Sequence, residues 1–158
     1  MNRLLACVLW LVCSVAAHAE TLTGTVIVVI DGDTLLFKPD TYSAARRAFL
    51  KVRLVDIDAP ETDQPYGEAA TRVLKSLTLK QRGELDITAI DHYGRPLGRL
   101  AVHGVAVNAE LVRRGAAWAA TRSDAAMQQL QDQARTARAG LWHARDPVPP
   151  WQWRRGRQ

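Results

Sequence analysis

The sequence has 158 residues and a formal net charge of +5 at pH 7, with 23% charged and 47% hydrophobic residues. This length suits one domain and excludes a large multidomain protein. Basic residues outnumber acidic ones 21 to 16, and most of them are arginine, the side chain suited to bidentate phosphate contacts. The balance favours a polyanionic partner, although a charge of this size also serves solubility alone.

Residues 1–19 have the pattern of a secretory signal peptide. A positive start at Arg3 precedes an apolar run from Leu4 to about Val15, and Ala17-His18-Ala19 places small residues where a signal peptidase reads them. The apolar run is shorter than the roughly 20 residues that a membrane-spanning helix needs. We therefore expect cleavage before Glu20 and export to the periplasm or the medium.

Cleavage there would remove both cysteines, Cys7 and Cys13, and leave 139 of the 158 residues with a net charge of +4. The exported chain would hold no thiol, so disulfide bonds and thiol chemistry are excluded despite the oxidising destination. The remaining histidines, His92, His103 and His143, show no metal-ligand spacing, so a zinc site is not expected.

Residue periodicity and turn residues predict five strands and three helices after the leader. The strands are predicted at residues 25–30, 34–38, 50–57, 84–90 and 97–102. The helices are predicted at about 68–79, at 108–114 with Asn108 as cap, and from a cap at Ser123 or Asp124 to an end at Gly140. A polar loop from Pro39 to about Ala48 separates the second strand from the third.

This order predicts an α+β, mainly β fold, a five-stranded Greek-key barrel of the oligonucleotide-binding (OB) type with three helices packed against it. The domain would span residues 20–144. Residues 145–158 combine three prolines with Trp151, Trp153 and several arginines, which predicts an extended or poorly ordered tail. Such a tail could hold single-stranded nucleic acid, but we favour a tail folded back on the barrel or disordered, without membrane contact.

The first of three clusters that carry chemistry is Asp31-Gly32-Asp33-Thr34. Alone it is typical of a hairpin turn, because Asp and Gly are common turn residues. An EF-hand is excluded, since Leu35 and Tyr42 stand where its fifth and twelfth loop positions would supply ligands.

The second cluster runs from Arg53 to Thr62 and places Asp56 and Asp58 near the end of a predicted strand. Because side chains alternate along a strand, we expect these two aspartates to share one face. A buried carboxylate is unfavourable unless it is paired or binds a cation. Asp58 close to Asp33 would form a small oxygen cage suited to Ca²⁺ or Mg²⁺. A salt-bridged strand end is the alternative.

Two arginines complete the set of charged residues that could carry chemistry. Arg53 lies five residues before Asp58, so strict alternation puts it on the opposite face unless a bulge intervenes or it reaches across the barrel edge. Arg95 ends the third cluster, Asp91 to Arg95, whose glycine-containing turn lets a guanidinium project freely; an ordinary exposed arginine is the alternative. The sequence thus supplies carboxylates for a hard cation, a spare carboxylate at Glu61 and two guanidiniums. This combination suits metal-assisted hydrolysis of a phosphodiester.

Together and in this order, the clusters resemble the signature of the staphylococcal nuclease (thermonuclease) family of Ca²⁺-dependent phosphodiesterases. The resemblance extends from about Leu22 to Trp142, with Val107 to Gly115 and Gly140-Leu141-Trp142 also fitting the family pattern. It implies an OB-type barrel, in agreement with the order of the predicted elements.

The resemblance also implies a role for each site residue. The implied ligands of Ca²⁺, or of another divalent cation, are Asp33, Asp58 and the backbone carbonyl of Ala59. Glu61 would orient or deprotonate the attacking water. Arg53 and Arg95 would hold the phosphate and offset the charge that builds on its oxygens in the transition state.

The sequence departs from the family pattern at two places. Ala59 replaces the threonine of some members, which a backbone carbonyl ligand tolerates. The stretch from Trp118 to Ser123 lacks the tyrosines that the family often places there against the base or terminal phosphate. Base stacking is worth about 1–3 kcal/mol per base, so we expect weaker nucleotide binding unless Trp118, Tyr93 or Arg122 compensates. Trp118 is expected in the core.

We therefore predict an exported, divalent-cation-dependent nuclease that cleaves DNA and RNA with little base preference, since its contacts are to phosphate. We expect single-stranded or locally melted substrate to be favoured. The resemblance implies products that end in 3′-phosphate. No obligate protein partner is expected. Two alternatives are a non-catalytic nucleic-acid-binding OB module and an envelope protein whose barrel binds another kind of partner. Glu61 beside a cation cage favours the enzyme, because a pure binder does not need it.

Overall fold

The computed structural model describes residues 20–41 and 48–157. The predicted leader and most of the predicted polar loop lie outside these residues. Within the described residues the chain forms eight strands, four α-helices and one 3₁₀ turn. They are β1 (Glu20–Val29), β2 (Thr34–Pro39), β3 (Leu50–Leu54), β4 (Ile57–Asp58), α1 (Gly67–Thr78), β5 (Arg82–Ile90), β6 (Pro96–Val102), β7 (Val105–Ala106), α2 (Val107–Arg113), β8 (Trp118–Ala119), α3 (Ala125–Thr136), the 3₁₀ turn (Gly140–His143) and α4 (Pro150–Arg155).

The main sheet closes on itself to form a barrel. Its strands follow the order β3-β2-β1-β5-β6, with antiparallel neighbours, and β7 continues the sheet beyond β6. Closure comes from a parallel pairing of β3 with β6, in which Arg53 lies opposite Leu97 and Leu54 opposite Gly98. The predicted α+β fold with an OB-type barrel is confirmed.

One apolar core fills the barrel and the space beneath the helices. Alternating residues of the strands are fully buried, and so are Leu74 of α1 and Leu111 of α2. The largest buried strand side chains are Phe37, Leu35, Leu54, Leu85, Leu100, Val26 and Val52. None of the helices in the described part of the chain is long and apolar enough to cross a membrane.

The third predicted strand, at residues 50–57, is interrupted at Val55 and Asp56. It ends at Leu54, and Asp56 then adopts a left-handed conformation with φ of 67° before β4 begins at Ile57. The Asp56 carboxylate is bound by Arg99, whose Nη2 lies 2.6 Å from Oδ2. Asp56 and Asp58 therefore do not share a strand face as expected, because the turn breaks the alternation between them.

Asn108 is not a helix cap. It lies within α2, whose N-cap is Ala106, and it is buried. Its side-chain amide accepts a hydrogen bond from Leu100 N at 3.1 Å and donates to the carbonyl oxygens of Val55 at 2.8 Å and Gly98 at 3.2 Å. The side chain thus fastens the helix to β6 and to the turn after β3.

The cap predicted at the start of the last core helix is confirmed. Asp124 precedes α3, and its side chain accepts a hydrogen bond from Met127 N at 2.9 Å. The helix ends at Thr136, earlier than the predicted end at Gly140, which instead begins the 3₁₀ turn with φ of 55°.

The prediction of an extended tail is also wrong, because Pro150–Arg155 forms the helix α4. Pro150 occupies the first helical position, where a missing N–H is tolerated. The segment folds back on the barrel, as one interpretation of the sequence expected, since Gln64 Nε2 donates to Val148 O at 2.5 Å and Trp151 packs edge-on against Trp118.

Candidate active site

The hairpin between β1 and β2 places Asp33 at the site. Asp31 shapes the turn by accepting a hydrogen bond from Asp33 N at 3.0 Å. Gly32 permits close packing, since a Cβ there would lie 2.6 Å from the Ala59 side chain. Asp33 Oδ2 accepts a hydrogen bond from Ala59 N at 3.1 Å, so the hairpin and the segment after β4 hold each other in place.

A single guanidinium joins the two aspartates that were predicted to lie together. Arg53 Nη2 is 3.1 Å from Asp33 Oδ2 and 2.9 Å from Asp58 Oδ1. Both carboxylates are buried, with Asp33 exposed to 4% and Asp58 to 8%. The structure thus brings Asp33, Asp58 and Arg53 into one cluster, and the left-handed turn at Asp56 lets Arg53 reach Asp58 despite their odd spacing.

The cluster is short of positive charge around Asp33. Burial raises the pKa of the Asp33 carboxyl to about 7, although the nearby Arg53 guanidinium opposes the shift. The neighbouring carboxylates of Asp31 and Asp58 raise the pKa further. Additional positive charge beside Asp33 would therefore stabilise its ionised form.

Glu61 lies on the rim of the cluster, directly after Pro60. Its backbone N–H donates to Gln64 Oε1 at 3.1 Å, and its carbonyl accepts from Gln64 N at 2.9 Å, so the loop is held at both backbone groups. The side chain is 40% exposed. A carboxylate in this position can meet both solvent and the buried aspartates.

Arg154 of α4 also enters the cluster, and sequence analysis missed it. Its Nη2 lies 2.7 Å from Asp58 Oδ2, and its Nη1 lies 2.6 Å from Glu61 Oε1 and 3.2 Å from Asp58 Oδ1. The hydrogen bond with Asp58 raises the pKa of Arg154 above its usual value. The only sequence signal was the mixture of arginine and tryptophan in the tail, which does not specify a target.

Arg95 is held by a contact of its own, within the turn between β5 and β6. Arg95 Nε donates to Asp91 Oδ2 at 2.8 Å, and its guanidinium lies 5.4 Å from the Tyr93 ring centroid. Although desolvation opposes it, hydrogen bonds from Arg95 and Tyr93 hold the pKa of Asp91 below its usual value. Across residues 20–41 and 48–157, no hydrogen bond or ion pair links Arg95 to Asp33, Asp58 or Glu61.

The two predicted substrate-binding residues are both exposed, Tyr93 to 74% and Arg122 at the turn after β8. Trp118 is a core residue as predicted. It is 7% exposed and contacts Trp142 edge-on, with ring centroids 4.3 Å apart.

Comparisons with known proteins agree with this geometry. The family model of staphylococcal nuclease homologues matches residues 51–144, which is more than half of the chain. A protein named as an uncharacterized endonuclease from Escherichia coli O157:H7 is 42% identical over 134 residues, covering 83% of this chain and 84% of that protein. Micrococcal nuclease of Shigella flexneri is 36% identical over 166 residues, covering 97% and 91%. Protein ParB of Escherichia coli is 38% identical over 168 residues, covering 98% and 91%.

The chain forms a closed OB-type barrel whose site gathers two buried aspartates, a rim glutamate and arginines. This fold and site define a class of proteins that act on phosphate groups through preorganised charges. Within that class, the chain belongs to the staphylococcal nuclease family. It is a nuclease, a hydrolase of phosphodiester bonds, so both the predicted family and the predicted enzyme class are confirmed.

Proposed function

We propose that this protein is an exported, divalent-cation-dependent nuclease that cleaves DNA and RNA with little sequence preference. The observation that carries the proposal is the Arg53 guanidinium, which lies within 3.1 Å of two buried carboxylates beside Glu61. Export rests on the signal-peptide pattern of residues 1–19.

The cation, most simply Ca²⁺, would be held by Asp33, Asp58 and the backbone carbonyl of Ala59. The donor set fits a hard cation, because it consists of oxygens and because the Asp33 and Asp58 carboxylates are both buried. Among the described residues no group of three or more His, Cys, Asp or Glu side chains is gathered for a metal, so water and substrate oxygens would complete the coordination. When bound, the cation would supply Lewis-acid polarisation of the phosphate and acidify nearby water.

Glu61 is proposed to handle the attacking water. Its carboxylate is partly exposed and held on a loop fixed by Gln64, so it can accept a proton or a hydrogen bond from water at the edge of the buried cluster. A general base or water-positioning group of this kind typically contributes a factor of about 10²–10⁴ to the rate.

Arg53 and Arg95 are proposed to hold the phosphate. Arg53 is preorganised by its two aspartate contacts and is still 28% exposed at its side chain, so it can also present N–H donors to a phosphate oxygen. Arg95 is fixed by Asp91 at the start of β6, the strand that closes the barrel beside Arg53. Preorganised guanidiniums of this kind stabilise charge that develops on phosphate oxygens without further reorganisation.

The substrates proposed are DNA and RNA strands that are single or locally melted. The site is assembled from charged groups suited to phosphate, so it would read the backbone rather than the bases. Tyr93 and Arg122 are exposed and are proposed as supplementary contacts to the substrate.

Digestion of single-stranded DNA with Ca²⁺ and with EDTA, combined with calorimetric titration of Ca²⁺, tests this proposal. We expect Asp33→Asn to lose both cation binding and cleavage, because it removes the buried ligand charge. Asp132→Asn, on the exposed face of α3, is the matched control and should retain both. Cleavage by the wild type in EDTA would contradict the proposal, and cation-dependent DNA binding without cleavage would favour the non-catalytic module.

A further inference from the structure

Arg154 occupies one of the two carboxylates proposed to hold the cation, Asp58, together with the neighbouring Glu61. Both oxygens of Asp58 accept hydrogen bonds from its guanidinium, and Glu61 Oε1 accepts a third at 2.6 Å. Asp58 Oδ1 is also bonded to Arg53 at 2.9 Å. A carboxylate has about four lone-pair sites, so little acceptor capacity remains on Asp58 for a cation while Arg154 stays in place.

Several contacts hold α4 in the position from which Arg154 reaches the site. Before the helix, Gln64 Nε2 donates to Val148 O at 2.5 Å. Within the helix, Trp151 lies edge-on to Trp118 with ring centroids 5.6 Å apart. After the helix, Arg157 forms an ion pair with Asp63, two residues beyond Glu61. These contacts therefore hold α4 against Trp118 at one end and against the loop that carries Glu61 at the other.

Other features of α4 weaken its docked position. The helix has only six residues, too few to be stable by itself in water. The Arg154 side chain is 43% exposed, so solvent partly screens its ion pairs with Asp58 and Glu61. The indole Nε1 of Trp153 is buried and finds no acceptor in the part of the chain that the structure describes, which weakens the docked state further.

We propose that α4 is an autoinhibitory latch in which Arg154 takes the place of the divalent cation at Asp58 and also pairs with Glu61, the carboxylate proposed to handle water. This inference rests on the proposed cation-dependent function. Arg154 and the cation compete for the same carboxylate oxygens, so cation binding favours the undocked helix and docking lowers the apparent cation affinity. The enzyme is then held inactive where divalent cations are scarce and becomes active where they are plentiful.

Calorimetric titration of Ca²⁺ into the wild type, Arg154→Gln and Arg155→Gln tests the latch. Arg155 is the matched control because it lies on the same helix and is exposed. We expect Arg154→Gln to bind Ca²⁺ about three- to tenfold more tightly than the wild type, and Arg155→Gln to bind with unchanged affinity. Hydrogen exchange of the wild-type peptide that covers residues 150–157 should accelerate when Ca²⁺ is added, which tests the latch without any variant.

The outcomes separate the latch from the proposed function. Equal Ca²⁺ affinity in wild type and Arg154→Gln, or protection of residues 150–157 that Ca²⁺ leaves unchanged, overturns the latch alone. A loss of turnover in Arg154→Gln at saturating Ca²⁺ with unaltered affinity also overturns it and makes Arg154 a phosphate-binding residue. Absence of Ca²⁺ binding in all three proteins overturns the proposed cation dependence together with the latch.

Discussion

Arg53 and Asp58 lie five residues apart on opposite sides of a broken strand, yet Arg53 Nη2 is only 2.9 Å from Asp58 Oδ1. A continuous strand would point the two side chains to opposite faces. The left-handed residue between them, Asp56 with φ of 67°, turns β4 so that Asp58 faces Arg53 and Asp33. The central ion-pair cluster therefore depends on one backbone conformation.

Replacement of Asp56 by valine tests this dependence. A β-branched residue is strained at positive φ, and we expect Asp56→Val to lose about 1–2 kcal/mol of folding stability beyond Asp56→Asn. Both variants remove the charge that pairs with Arg99, and any hydrogen bond that asparagine keeps with the exposed Arg99 is weak, so most of their difference reports on the backbone. Urea unfolding measures the stability and a nuclease assay measures the rate. Equal stability and equal rate in the two variants would contradict the account.

The loop that carries Glu61 depends on the absence of a side chain at Gly67. A Cβ at Gly67 would come within 3.0 Å of the Thr62 carbonyl oxygen and closer still to the Glu61 carbonyl oxygen. We expect Gly67→Ala to displace the loop, to destabilise the fold by about 1–3 kcal/mol and to lower the cleavage rate. The neighbouring Glu68→Ala lies on an exposed face and serves as control in the same unfolding and rate measurements. A Gly67→Ala protein with wild-type rate would show that the loop adapts.

Asn108 is expected to be one of the most sensitive buried positions. Its amide satisfies Leu100 N and the carbonyls of Val55 and Gly98, and these groups are left without that partner in Asn108→Ala. An unsatisfied buried polar group costs about 1–3 kcal/mol, so we expect a loss of at least that size in chemical denaturation. Ser76→Ala, which removes one exposed hydrogen bond to Val73 O within α1, should change stability little.

Acid stability should depend in part on Glu110. The hydrogen bond from Arg113, with a second from Arg114, lowers the pKa of Glu110 from 4.5 to about 2. A carboxyl whose pKa is lowered by folding stabilises the native state above its unfolded pKa and loses this effect as pH falls through the folded pKa. The melting temperature of Glu110→Gln should therefore lie below that of the wild type at pH 7, and the gap should close between about pH 4.5 and 2. A gap that persists unchanged at pH 2 would assign it to packing instead.

Local patterns were enough to predict the barrel, whereas the pairing of Asp33 with Asp58 in one site was implied by the family resemblance. The strands follow from alternation and β-branched runs, and the two aspartates follow turns or strand ends that the barrel brings together. The turn at Asp56 was missed because Val55-Asp56-Ile57 keeps the alternation of a strand, and aspartate tolerates a left-handed conformation without the glycine that usually marks one.

Two other features depend on partners distant in the sequence. Asn108 resembles a helix cap in its local context, but its hydrogen bonds go to β6 and to Val55, which is 53 residues away. Arg154 meets Glu61 and Asp58 across separations of 93 and 96 residues. No local periodicity encodes such contacts, so the helix of the tail and its position over the site required the three-dimensional structure.

The most direct test of the central claim is the single-turnover rate of single-stranded DNA cleavage by Glu61→Gln at saturating Ca²⁺, with Glu68→Gln as matched control. Glutamine keeps the size of the side chain and one acceptor oxygen, but it cannot take a proton. We predict a rate about 10²–10⁴-fold below that of the wild type for Glu61→Gln and an unchanged rate for Glu68→Gln. Cleavage by Glu61→Gln at the wild-type rate would contradict the account, because the water would then be activated by another group.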